Sequence, residues 1–314
     1  MKKYLLLFFK GLAMGAADVV PGVSGGTIAF ITGIYQELID SIKSVGPNTV
    51  VVLFREGPLA CWKSFNGTFL IVLLAGIACS VLSLARLISD LLHSQPVLIW
   101  SFFFGLIVAS IVHMARQMPH WRIVDLAGLL CGAVFVLFLS SNTLTVHNPS
   151  MWVVFFSGAI AICAMILPGI SGSFILLLMG MYQSIIGAIK DLDLLVIATF
   201  GSGAALGLLG FSRFLSWLLH RYYQLTIAVL TGFLLGSLYV VWPWKQVLST
   251  ALRHGEEVAV LQKPVSPFVY SELYRVDSQW LIAIVFMLVG CLLVLGLEWF
   301  ATASADLAEE KGND

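Results

Sequence analysis

Pro21-Gly22-Val23-Ser24-Gly25-Gly26-Thr27 and Pro168-Gly169-Ile170-Ser171-Gly172-Ser173 are two copies of one polar signature, each set in a long apolar surround. Displacing the chain on itself by 147 positions aligns residues 14–43 with 161–190. Of those 30 positions 12 are identical, among them Gly33/Gly180, Tyr35/Tyr182, Gln36/Gln183 and Lys43/Lys190. A second window follows at a displacement of 127, where Gly76/Gly203, Arg86/Arg213, Ser89/Ser216, His93/His220, Gly105/Gly232 and Ser110/Ser237 coincide in order. The chain is a duplicated unit with one signature per copy. The copies are assigned to residues 1–142 and 143–304, with a tail at 305–314.

Hydrophobic residues make up 59% of the 314 positions and charged residues 11%, and the mean hydropathy is +0.97. Such a chain cannot cover a globular surface with polar groups, so the expected class is an all-α polytopic membrane protein. Lys and Arg together number 17, as do Asp and Glu. With no basic stripe to neutralise phosphates in bulk, the charge balance argues against nucleic acid as a partner, and any bound anion must be small and local. The 5 cysteines show no CxxC or Cys/His spacing, which argues against a disulfide or zinc site. Met1-Lys2-Lys3 and the leucine-rich run after it resemble a signal peptide, but the run passes straight into the repeated motif, so it is expected to be retained.

Apolar arms at 5–20 and 27–42 flank the first signature, and arms at 152–167 and 174–189 flank the second. A helix of about sixteen residues is only about 24 Å long, against a hydrocarbon core of about 30 Å. Each pair of arms therefore reads as a re-entrant helical hairpin, and irregular backbone at that depth must be buried in protein or line a wet cavity. Ten ordinary spans with surface turns are the alternative, since tilt and bilayer thinning absorb mismatch. A polar linker at 44–67 has no counterpart in the second copy. Full spans fit 68–92, 97–115 and 123–141, then 195–219, 225–242 and 280–300. A hairpin plus three spans makes an odd number of crossings per copy, so the repeats should be inverted in topology. Short loops rich in Lys and Arg, such as those holding Lys43, Arg55, Lys63, Arg116, Arg122 and Arg221, put both termini in the cytoplasm. The acidic tail from Asp306 is expected to be mobile.

The first residues of the helix after each signature present unpaired N–H groups, and glycine lets an oxyanion approach the backbone. Ser24, Gly25, Gly26 and Thr27 in one tip, with Ser171, Gly172 and Ser173 in the other, are therefore candidates for phosphate binding, and Pro21, Gly22, Pro168 and Gly169 for shaping the tips. Plain helix breaking and close packing by small residues is the other reading of the same residues. Arg86 and Arg213 occupy equivalent positions in apolar helix, where a charge either faces a polar partner or snorkels, and they complete the candidate phosphate set. Asp18, whose counterpart is Met165, is the acid nearest a tip and a candidate for ion coupling; Glu37 is a weaker one, placed about 15 Å along the returning arm. His93 and His220 suit helix C-terminal capping.

The run Gly15 through Thr27, continued by Gly33-Ile34-Tyr35 and answered by Leu167-Pro168-Gly169-Ile170-Ser171-Gly172-Ser173, resembles the polyprenyl-phosphate transporter family, and the resemblance covers nearly the whole chain. It implies movement of undecaprenyl phosphate from the outer to the inner leaflet of the bacterial cytoplasmic membrane. It carries over to Asp18, Ser24, Gly25, Gly26, Thr27, Ser171, Gly172 and Ser173. No cofactor is expected beyond a coupling ion, H+ or Na+; membrane lipid is the other partner, and the oligomeric state is left open. A polyprenyl-pyrophosphate phosphatase is one rival, but glycine rather than arginine follows Ser24 and Ser171, and no paired glutamates lie near a tip. A transporter of a small soluble anion is the other.

Overall fold

The computed structural model describes residues 2–19, 24–118, 120–141, 149–253 and 256–310. The first copy runs α1 (Lys2–Val19), α2 (Gly25–Ile31), α3 (Tyr35–Ser44), α4 (Pro47–Glu56), α5 (Pro58–Ser64), α6 (Gly67–Ser94), α7 (Pro96–Gln117) and α8 (Ile123–Ser141). The second runs α9 (Met151–Ile166), α10 (Gly172–Leu178), α11 (Tyr182–Lys190), α12 (Leu194–Arg221), α13 (Tyr223–Val241), β1 (Lys245–Arg253), β2 (Glu256–Pro264), α14 (Pro267–Tyr274) and α15 (Trp280–Glu310). Removing the linker helices α4 and α5 from one copy, and β1, β2 and α14 from the other, leaves the same six helices in the same order.

Four helices are long and apolar enough to cross a membrane among the described residues: Pro96–Arg116, Ile123–Ser140, Leu194–Arg221 and Tyr223–Val241. A fifth crossing results if α5 and α6, bent by 70° at Phe65–Asn66, count as one broken span. The protein is therefore an all-α polytopic membrane protein, apart from the antiparallel pair β1 and β2 between the expected spans 225–242 and 280–300. α15 also exceeds expectation: it runs on through Glu310, past the expected span end at 300, because Ala, Leu and Glu after Phe300 are good helix formers. The expected linker at 44–67 forms α4 and α5, each started by a proline in its first turn and neither holding a buried residue.

Pairing follows the duplication. α1 packs along α6 as α9 packs along α12, and α8 packs on α13 as α7 packs on α15. Glycine permits these approaches: a Cβ on Gly11 would strike the Leu73 carbonyl of α6 and one on Gly76 the Phe8 carbonyl of α1. In the second copy Gly158 meets Phe200 and Gly203 meets Phe155 in the same way. Without a hydrophobic drive between helices in lipid, such close backbone contact supplies the packing energy.

Each returning arm, expected as one helix, is broken. Gly33 (φ 72°) separates α2 from α3 and Gly180 (φ 66°) separates α10 from α11. In the first copy the Ile34 N–H donates to the Ala29 carbonyl at 3.0 Å, and in the second the Met181 N–H donates to the Leu176 carbonyl at 2.9 Å. These are the 6→1 bonds of a glycine-terminated helix end, and Lys10 Nζ closes the first from α1 by donating to the Thr32 carbonyl at 2.7 Å.

Candidate functional site

The two signatures meet. Ser24 Oγ donates to the Met165 carbonyl at the end of α9 (2.8 Å), and the Gly169 N–H donates to Thr27 Oγ1 (2.9 Å). Gly26 lies so close to the Ile166 carbonyl that no side chain fits between them. Ser24 and Thr27 are both fully buried. Gly169 adopts φ 83° and lies against the Phe233 backbone of α13, where an added Cβ would come within 2.9 Å of a carbonyl oxygen. Backbone conformation and close approach thus both require glycine there.

Local chemistry fixes where the short helices begin. Ser24 is the N-cap of α2, accepting the Gly26 N–H at 3.0 Å, so the helix starts at Gly25 and not at Thr27. α10 likewise starts at Gly172 rather than Phe174, with Ser171 Oγ and Ser173 Oγ 3.0 Å apart. The Gly25 N–H is not free: it donates to Asp18 Oδ1 at 2.6 Å. A carboxylate from α1 thus sits on the first amide of α2, where helix polarity favours negative charge. Ser24, Gly25, Gly26, Thr27, Asp18 and Gly169 are brought together, with Pro168, Ser171, Gly172 and Ser173 in the adjoining tip. Pro21, Gly22 and the side chain of Arg86 lie outside the described residues, as do the side chains of His93, Gln183 and Lys190.

Beside the tips lies an apolar chamber of about 350 Å³. Asp18 and Gly26 stand at one part of its wall, Ile77 and Ile162 line it from α6 and α9, and Val45 and Leu209 line it from the end of α3 and from α12. A separate water-sized space of about 10 Å³ touches Gly169, Ser171 and Ser140.

Arg213 is not at the tips. Its guanidinium donates to the Leu209 carbonyl at 2.7 Å and the Val45 carbonyl at 2.9 Å, and so caps the end of α3 beside the chamber. Glu37 is also remote, accepting from Asn66 Nδ2 at 3.1 Å on an exposed face. Sequence reasoning missed the cluster that joins α3 to α12. Ser216 Oγ donates to Asp40 Oδ1 (2.6 Å), Lys43 Nζ donates to Ser216 Oγ (3.0 Å), and His220 Nε2 is 3.8 Å from Asp40 Oδ2. His220 Nδ1 also lies 2.8 Å from the Ser216 carbonyl one turn back. The joint duplication of Lys43, Ser216 and His220 was the available signal. Lys245, equally unforeseen, is 9% exposed with its Nζ 3.3 Å from the centre of the Trp100 ring, and burial holds its pKa well below the usual lysine value.

Long apolar helices around two broken hairpins with joined polar tips define a multi-pass helical membrane protein. Residues 14–258 match the family described as undecaprenyl phosphate translocase-like, and the chain belongs to that family. It is 51% identical over 299 residues, 95% of this chain and 97% of the relative, to a protein of Vibrio cholerae serotype O1 named polyprenyl-phosphate transporter. A protein of the same name from Staphylococcus aureus is 33% identical over 253 residues, 74% of this chain and 84% of that relative. No solved structure matches the chain.

Proposed function

We propose that the protein carries undecaprenyl phosphate from the outer to the inner leaflet of the bacterial cytoplasmic membrane, handling the phosphate head at the joined tips. The observation that carries this reading is the meeting of the two signatures through Ser24–Met165 and Gly169–Thr27, next to an apolar chamber. A phosphate must cross about 30 Å of hydrocarbon, and a polar, glycine-lined point inside the protein is what shortens that passage.

The reading includes inverted repeats. Asp40, Lys43 and Val45, at the end of the first hairpin, bond to Ser216 and Arg213 in the last turns of α12. The second hairpin leads through Asp193, the N-cap of α12, into the other end of that helix. Its 28 residues separate the two ends by about 42 Å. This supports entry of the hairpins from opposite faces, with rocking of one copy against the other alternating access to the tips. Both termini then face the cytoplasm.

Asp18 supplies the coupling in this account. Its carboxylate holds the Gly25 amide that a phosphate oxygen would need, so head-group binding exchanges one anion for another. Neutralising the carboxylate with H+ or Na+ frees the amide. Ser24, Gly26, Thr27, Ser171, Gly172 and Ser173 complete the head-group site, while Arg213 and Arg86 serve the inner and outer approaches. Equilibrium binding tests this on the purified full-length protein, with inorganic phosphate and undecaprenyl phosphate as competing ligands. Mutual competition, lost in Gly172→Val, is expected. Release of inorganic phosphate from undecaprenyl pyrophosphate would replace transport with hydrolysis, and competition by soluble phosphate compounds but not by the lipid would indicate a soluble-anion transporter.

A further inference from the structure

The chamber beside the tips is lined almost wholly by apolar side chains, and its place constrains the substrate beyond its head group. Met14, Ile77, Ile162, Ile166 and Leu208 surround it, and among the described residues Asp18 is the one ionisable side chain in its lining. Two lining residues, Leu74 of α6 and Met165 of α9, are 56% and 40% exposed, so the space reaches the outer surface beside these apolar helices. If the phosphate occupies the tip beside Asp18 and Gly26, the carbons bonded to it cannot remain in the bilayer. They must lie between the tip and the lateral opening, which is the space the chamber provides.

We propose that this chamber takes the first isoprene units of the polyprenyl chain, those adjoining the phosphate, so that the protein binds the root of the lipid tail as well as its head. This rests on the phosphate reading given above. At roughly 30 Å³ for each water-sized group, 350 Å³ accommodates about a dozen such groups, enough for two five-carbon units. An apolar chain here leaves no polar group unpaired, whereas water filling the same walls would find few partners. Coming from lipid, the chain gains little from the hydrophobic effect, so the chamber acts by fit, keeping the root of the tail packed while the head is at the tip.

Geranyl phosphate, soluble and carrying two isoprene units, tests the inference by titration against the full-length protein in detergent, with inorganic phosphate as the control that lacks a tail. Each methylene-sized group leaving water contributes about fourfold in affinity, so geranyl phosphate should bind at least about a hundredfold more tightly than inorganic phosphate. Ile77→Trp and Ile162→Trp, which fill the chamber, should each lose about tenfold or more for geranyl phosphate while inorganic phosphate changes less than about twofold. Ile77→Phe replaces either variant that fails to give a monodisperse, helical protein. Equal affinities for the two ligands, or filled variants that bind geranyl phosphate as the parent does, would overturn the chamber's role and leave the phosphate site standing. Failure of the parent protein to bind either ligand would remove the phosphate site itself and the chamber's role with it.

Discussion

Asp18→Asn separates a competing carboxylate from a purely structural one. In the structure Asp18 Oδ1 accepts the Gly25 N–H at 2.6 Å, a charge-assisted bond across the start of α2. Such bonds contribute about 1.5–3 kcal/mol and neutral ones about 0.5–1.5 kcal/mol, so asparagine, which keeps the acceptor oxygen and the size, weakens this contact by roughly 1–1.5 kcal/mol. If a phosphate oxygen must displace that carboxylate, the variant should bind inorganic phosphate and undecaprenyl phosphate roughly five- to tenfold more tightly at pH 7. Removal of the like charge acts in the same direction. Leaflet exchange should slow at the same time, because release from the tip becomes harder. Titration of parent and variant with inorganic phosphate in the same detergent reads the first effect, and exchange in proteoliposomes reads the second. Affinity that is unchanged or weaker, with lowered thermal stability, would show that Asp18 merely caps α2.

Other outcomes follow from the same geometry. Gly172→Val places a branched side chain where a Cβ already comes within 2.6 Å of the Ala161 carbonyl and 3.3 Å of Met165 Cβ, so the second tip should shift and exchange should be lost while the protein still inserts; normal exchange would make the tips packing elements only. Arg213→Ala removes the ties to Val45 and Leu209, and should weaken capture of the lipid from the inner leaflet by about tenfold without altering capture from the outer one; equal losses on both sides would take the arginine out of the access path. Lys245 is buried over Trp100 with its pKa lowered by desolvation, so between its folded pKa and about 10.4 the unfolded chain binds more protons at this site and stability rises with pH. Thermal unfolding from about pH 7 to 10 should show that rise in the parent and its loss in Lys245→Met; identical slopes would contradict the assignment.

Much of this architecture was legible because duplication wrote it twice. Pro-Gly-x-Ser-Gly inside apolar sequence located both tips, but each returning arm read as one helix, and the breaks at Gly33 and Gly180 show only in the structure. That the tips touch depends on Thr27 Oγ1 and the Met165 carbonyl, a polar acceptor and a backbone oxygen whose use is decided only by tertiary approach. The Gly25 amide is open to an anion as far as the sequence goes, because nothing in the spacing shows that seven residues of chain return Asp18 onto it. The cost of Arg213 in an apolar helix marks it as a residue with a polar task, but its spacing does not show that its donors reach the Leu209 and Val45 carbonyls beside the chamber. The Asp40–Ser216 bond joins residues 176 apart, and Asp40 has glycine at the equivalent position of the second copy, so duplication marked Ser216 without pointing to its partner.

Leaflet exchange of head-labelled undecaprenyl phosphate in proteoliposomes tests most directly whether a lipid phosphate moves through the joined tips. With the parent protein, label placed in one leaflet should become accessible from the other at a rate set by an imposed proton or sodium gradient, and Gly172→Val liposomes should match protein-free ones. Exchange no faster than in protein-free liposomes under either gradient, or equal exchange in parent and variant, would contradict the account.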